Sequence, residues 1–174
     1  LDLSLYDKWI LSISDLIPAH LKAKHQIYAR MEAYGPSLNQ GLCYESCAVF
    51  PFEGILKGNF FLGLDGATRK KLYPRLAEKR HGEPKPSEFK GLIDELMLEF
   101  HQLFSDDFSK GMPGLLWKPI QKKDNELIPI DVKKSREWIF IFFLKDTIHP
   151  SYLGRLYGIL EIESHKTLDR ETEK

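Results

Sequence analysis

Leu5, Trp9, Ile13, Leu16 and Ile17 recur every three or four places, which predicts an amphipathic helix over 3–17 that Pro18 ends. Residues 19–34 keep no single period: Ala, Lys and His favour helix, whereas Ile27-Tyr28 and Tyr34-Gly35 suit a strand. Gly35, Pro36, Ser37 and Asn39 make 34–41 a loop by composition. From Cys43 onward the period falls to two. Tyr44, Ser46, Ala48 and Phe50 alternate with Cys43, Glu45, Cys47 and Val49, and a second strand-like run covers 55–64. Pro51-Phe52-Glu53-Gly54 between them reads as a hairpin connection. Asp65 then stands where it would cap a helix from Gly66 to Lys79, which Pro74 kinks or shortens.

His81 to Pro86 is a polar loop, and Ser87 opens the most regular helix of the chain, running to Ser105. Strands are expected at 115–120, 127–132 and 137–144, with Lys133-Lys134-Ser135-Arg136 turning between the last two. Pro150 suits the first turn of a C-terminal helix whose apolar stripe is Leu153, Leu156, Tyr157 and Leu160. Together these predict an α+β fold, a mostly antiparallel sheet flanked by long helices. One domain is expected over 1–162, followed by a charged C-terminal tail over 163–174.

On a wheel of about 100° per residue, helix 87–105 separates into two faces. Phe89, Leu92, Ile93, Leu96, Phe100, Leu103 and Phe104 fall within an arc of about 120°, the face to bury. Glu95, Glu99, Gln102 and Asp106 form a second stripe about 110° away, and Leu98 lies beside it, outside the buried arc. By periodicity alone that stripe reads as a solvated face.

Composition narrows the alternatives. The 174 residues are 43% hydrophobic and balance 25 cationic against 25 acidic side chains, so no global field favours nucleic acid or an anionic membrane. No apolar run approaches the ~18 residues of a membrane span, and no basic-then-apolar leader opens the chain. Cys43 and Cys47, placed on one strand, would lie ~13 Å apart, too far for a disulfide, which points to a reducing, cytoplasmic setting. Arg69, Lys70, Lys71, Arg75, Lys79 and Arg80 make helix 66–79 basic, a solvated face or a docking surface for an acidic partner. His20 and His25, five apart, do not match the three- or four-residue spacing of a helical metal pair, and His101 is rotated off the Glu99/Gln102 stripe. No metal site is expected.

The stretch Phe52-Glu53-Gly54-Ile55-Leu56-Lys57-Gly58, followed by Asn59-Phe60-Phe61-Leu62, resembles the Phe-x-Gly-x-x-x-Gly hairpin of the CheC/CheX chemotaxis phosphatases. In that family a later helix carries Glu-x-x-Asn, with Asp or Ser four residues before the Glu. Glu99-Phe100-His101-Gln102 occupies the corresponding place here, with Glu95 four residues earlier, and the resemblance covers most of 40–145. Gln102 replaces the Asn, Glu95 replaces the Asp or Ser, and the small residues that normally follow the Asn are absent. The resemblance implies hydrolysis of the phosphoaspartate of a response-regulator receiver domain, or, for an inactive relative, a dimeric module that binds the receiver without hydrolysis. It assigns catalysis to Glu99 and Gln102 and partner contact to Glu95, Leu98 and Asp106. It also implies a homodimer like CheX and no cofactor of its own, because the Mg²⁺ belongs to the receiver.

Overall fold

The structure is a computed structural model, and it describes residues 3–36, 43–44, 46–77, 88–108, 114–122, 126–127 and 135–163. Trp9, Ile13, Ile17 and Leu21 lie four apart and are all buried, so one row of side chains binds the first helix to the core. That row crosses Pro18. Helix α1 accordingly runs unbroken from Leu3 to His25, against the expectation that it ends at the proline. An interior proline costs about 3 kcal/mol, while burying Ile17 and Leu21 returns roughly 1.5–3 kcal/mol each. The ambiguous stretch 19–34 therefore divides into the end of α1 and strand β1 (Ile27–Pro36), and β1 takes in Tyr34–Pro36, where a loop was expected. Gln26 makes the junction in the left-handed region, φ 55°, the usual conformation just past a helix end.

The remaining elements are β2 (Cys43–Tyr44), β3 (Ser46–Gly54), β4 (Gly58–Leu64), α2 (Gly66–Ala77), α3 (Glu88–Leu103), β5 (Leu115–Trp117), β6 (Gln121–Lys122), β7 (Glu126–Leu127), β8 (Ser135–Asp146) and β9 (Ser151–Glu163). A single π-type turn, Phe104–Phe108, closes α3 in place of the expected last turn of α-helix. Seven strands form one sheet in the order β1-β8-β9-β4-β3-β5, with β6 also on β3, and β2 pairs β7 separately. Every pairing among the described residues is antiparallel, so the α+β class with a mostly antiparallel sheet holds.

One element has the wrong class in the sequence reading. Residues 151–163 are the strand β9, hydrogen-bonded to β8 on one side and β4 on the other, and not a helix. Leu153, Leu156, Tyr157 and Leu160 do fit a helical stripe. However, Leu156, Leu160 and Ile162 also share one face of a strand, and Gly154 and Gly158 weaken any helix there. Burial between two neighbouring strands decides it.

Other boundaries move less. The expected turn 51–54 belongs to β3, and the chain reverses at 55–57 instead. The Pro51 carbonyl accepts from Lys118 N (2.8 Å), so its missing N–H faces the side where β3 passes from β5 pairing to β6 pairing. Strand 115–120 shortens to β5, and Ser135–Arg136 lie in β8 rather than in a turn. Of the expected strand 127–132 only Leu127 is described, paired with Cys43. The loop 81–86 and the tail beyond Glu163 lie outside the described residues. Cys43 and Cys47 belong to different strands in different sheets, and Cys47 is buried. Asp65 caps α2 as expected, its Oδ1 accepting from Thr68 N at 2.7 Å.

The main core lies between the sheet and helices α1, α2 and α3, which contribute Trp9, Ile13, Leu72, Ile93 and Phe100 to it. Its centre is aromatic. Trp9 meets Phe52 (5.1 Å) and Trp117 (5.5 Å), while Phe104 meets Phe50 and Trp117 (both 5.3 Å). Cys47, Val49, Phe61 and Ile159 form a smaller cluster on the opposite sheet face, as strand alternation requires.

Candidate functional site

The buried face of α3 fixes what the other face can present. Leu92, Ile93, Leu96, Met97, Phe100 and Phe104 are all buried, with Phe100 and Phe104 fully enclosed. The helix therefore has one rotation about its axis, which leaves Glu95, Gln102 and Asp106 exposed, Leu98 half exposed and Glu99 between the two faces. All five lie on or beside a single ridge. The Gln102 side-chain amide donates to Asp106 Oδ2 at 2.8 Å across one turn. Ser105 Oγ donates to the His101 carbonyl at 2.9 Å. His101 points away from the ridge, its Nε2 donating to the Lys118 carbonyl at 2.8 Å and its ring stacked on Phe50.

Glu99 sits nearest the buried arc and is held there. Its Oε1 accepts from His20 Nε2 at 2.9 Å and from His25 Nε2 at 3.0 Å, and its Oε2 is 3.2 Å from His25 Nε2. Both imidazoles come from the last turns of α1, and only 11% and 13% of their side-chain surface is exposed, against 25% for Glu99. The two rings meet edge to face at 5.9 Å, and His20 also packs on Phe100 at 5.7 Å. Donation to the carboxylate places a proton on Nε2 of both rings. Residues five apart on a helix differ by about 140° in direction, so no sequence pattern marks this pair. His25 reaches the site because it is the last residue of α1. The backbone turns away immediately at Gln26, which is pinned by Arg75 Nη2 on its Oε1 (2.9 Å) and by Thr147 N (3.2 Å) and Oγ1 (2.6 Å) on its carbonyl.

The hairpin glycines have a structural cause. Gly54 holds φ 122°, and a Cβ there would collide with the Gly114 carbonyl. A Cβ at Gly58 would collide with the Glu161 carbonyl of β9. Phe52, the third motif residue, is buried beneath Trp9. Phe52, Gly54 and Gly58 thus shape the β3–β4 hairpin.

No family model and no curated protein matches the sequence. Solved structures do. A CheC-like superfamily protein from Shewanella sp. PV-4 superposes with a TM-score of 0.66 at 13% identity, covering 90% of this chain and 98% of that one. The chemotaxis protein CheX from Desulfovibrio desulfuricans gives 0.63 at 10% identity, over 92% and 99% of the two chains. CheX from Borrelia burgdorferi, solved in a complex with CheY, BeF3 and Mg²⁺, gives 0.63 at 13% identity over 91% and 97%. The chain has the CheC/CheX fold. No helix among the described residues is long and apolar enough to cross a membrane.

Proposed function

We propose that this chain is a CheX-like protein of bacterial chemotaxis or two-component signalling. It docks the receiver domain of a response regulator on the outer ridge of α3 and hydrolyses the receiver's phosphoaspartate. One observation carries the reading: Gln102 is an exposed amide on a helix whose opposite face is locked into the core, one turn from the carboxylate of Glu99. A carboxamide both donates and accepts without charge, so it can hold a water in line with phosphorus while the Mg²⁺ stays with the receiver. Half-exposed Leu98, with Glu95 and Asp106 around it, supplies an apolar contact with an acidic rim. Glu99 offers its charge to the receiver's lysine. A carboxylate has about four acceptor directions, so the two histidines orient it without exhausting it.

A second reading, docking without hydrolysis, draws on the bond that ties the Gln102 amide nitrogen to Asp106 and on the longer reach of Gln compared with Asn. Mixing the protein with phosphorylated receivers from its own organism separates the two. Faster loss of phosphate supports the enzyme, binding with an unchanged decay supports the docking module, and no binding defeats both. The same reading carries a homodimer, so sedimentation at micromolar concentration should give twice the mass of the chain.

A further inference from the structure

We propose that His20, His25 and Glu99 form a binding site for a divalent transition-metal ion, with Zn²⁺ its best-matched occupant. The site shares Glu99 with the proposed docking ridge, so the ion and the receiver's lysine compete for one carboxylate, and uptake of the ion is read without any receiver. Two imidazole nitrogens and a carboxylate oxygen are the donor set of borderline divalent metals, whereas Mg²⁺ and Ca²⁺ take oxygen ligands. The three ligand atoms lie within 4.8 Å of one another. Metal bonds of about 2.0–2.1 Å place neighbouring ligands roughly 2.9–3.4 Å apart. The two Nε2–Oε1 edges, 2.9 and 3.0 Å, already fall in that range. The remaining nitrogen–nitrogen edge is no longer than 4.8 Å and has to close into the same range as the ion binds.

The ligands are also held before any ion arrives. His20 is braced by Phe100, Glu99 by the locked rotation of α3, and His25 by the Gln26 turn that Arg75 and Thr147 pin. Both imidazoles present Nε2 to the same carboxylate oxygen, a convergence that a single structural hydrogen bond does not require. Uptake of the ion needs the Nε2 lone pairs, so each neutral ring carries its proton on Nδ1 instead, an imidazolium releases one proton to solvent, and two hydrogen bonds give way to two metal–nitrogen bonds. With three protein ligands on a tetrahedral ion, a fourth position remains for water or an external ligand, reached through the exposed quarter of Glu99.

The test uses the full chain, stripped with a chelator and then titrated with Zn²⁺ against a chromogenic competitor. About one equivalent should bind with a sub-micromolar Kd, weakened at least ~100-fold by His20→Ala or His25→Ala. A Co²⁺-loaded sample should show ligand-field bands without thiolate charge transfer, which excludes Cys43 and Cys47 as ligands. Because an alanine variant may lose its fold, Glu99→Gln provides a second arm that keeps the size of the side chain and one carbonyl acceptor. Zn²⁺ at about a hundredfold over Kd should raise the wild-type Tm by roughly 5 °C and the Glu99→Gln Tm by far less. Mg²⁺ should shift neither. Failure of the wild type to take up Zn²⁺, uptake equal in wild type and folded variants, or thiolate bands with Co²⁺ would each overturn the site. Receiver phosphate loss plays no part in the readout, so the docking proposal stands or falls separately.

Discussion

Two polar clusters anchor the helices of this fold, and they differ in what they can exchange. At the end of α2, Arg75 lies against Asp146 (3.4 Å) with only 4% and 10% of the two side chains exposed. Asp146 Oδ1 also accepts from Ile148 N (2.9 Å) and His149 N (3.3 Å), so one carboxylate ties α2 to the β8–β9 turn. Between α1 and α3, Glu99 is held by two imidazoles at a more open position. The guanidinium keeps its charge at any ordinary pH, and its carboxylate is spent on the turn. The imidazoles can exchange their hydrogen bonds for bonds to a metal. The first cluster has the makings of a permanent staple and the second of an adjustable site, although both join elements distant in sequence.

The largest expected effect comes from breaking the staple. Asp146→Ala leaves the Arg75 guanidinium buried without its carboxylate and frees two turn amides, a loss of about 3–5 kcal/mol in urea unfolding. A loss below about 1 kcal/mol would mean that water reaches Arg75 and that the two clusters do not differ in kind.

Next in size is the ridge of α3. Gln102→Ala should slow receiver dephosphorylation by one to three orders of magnitude, roughly 1.4–4 kcal/mol of transition-state stabilisation. It should change stability by no more than about 0.5 kcal/mol, because the exposed amide packs against nothing in the core. A variant that hydrolyses at the wild-type rate would remove Gln102 from the chemistry.

Both regions show how much the chain discloses in advance. The faces of α3 were legible because a helix wheel needs only local spacing, and Leu92, Ile93, Leu96, Phe100 and Phe104 are buried where the wheel puts them. Local spacing failed at β9, where Leu153, Leu156, Tyr157 and Leu160 satisfy a helical period. The strand follows from pairing with β4, nearly a hundred residues away. It failed again at Pro18, whose cost is outweighed by contacts on both sides of it. The Glu99 environment was illegible for the same reason: His20 and His25 acquire meaning only once α1 lies beside α3. Arg75 likewise read as one of six solvated cations until the β8–β9 turn supplied its partner.

A smaller effect sharpens the adjustable cluster. Glu99→Gln keeps one acceptor for the histidines but removes the charge that strengthens their hydrogen bonds, which should cost about 1–2 kcal/mol of stability at pH 7. Receiver docking should weaken as well, since the lysine loses its counter-charge. Unchanged docking would assign that contact to Glu95 or Asp106 instead.

The smallest effect belongs to a third carboxylate pair, which has the chemistry of the staple without its burial. Glu32 is the extra residue of a bulge in β1, and it receives Arg155 Nε at 2.8 Å and Nη2 at 3.4 Å across β8. The hydrogen bond from Arg155, and then the charges of Arg155 and Arg30, hold the Glu32 carboxyl below its ordinary value of 4.5. A carboxyl lowered in the folded state adds stability above the unfolded pKa and loses it as pH falls through the folded one. The contribution of Glu32 is therefore complete at neutral pH and disappears in the acid range below 4.5. Solvent screens the pair, so Glu32→Gln should lower Tm at pH 7 by no more than about 2 °C, with the difference shrinking as pH falls into the acid range. Added salt should shrink it at neutral pH, while leaving the Asp146→Ala deficit almost intact. If salt removed both deficits equally, burial would not be what distinguishes Arg75–Asp146 from Arg155–Glu32.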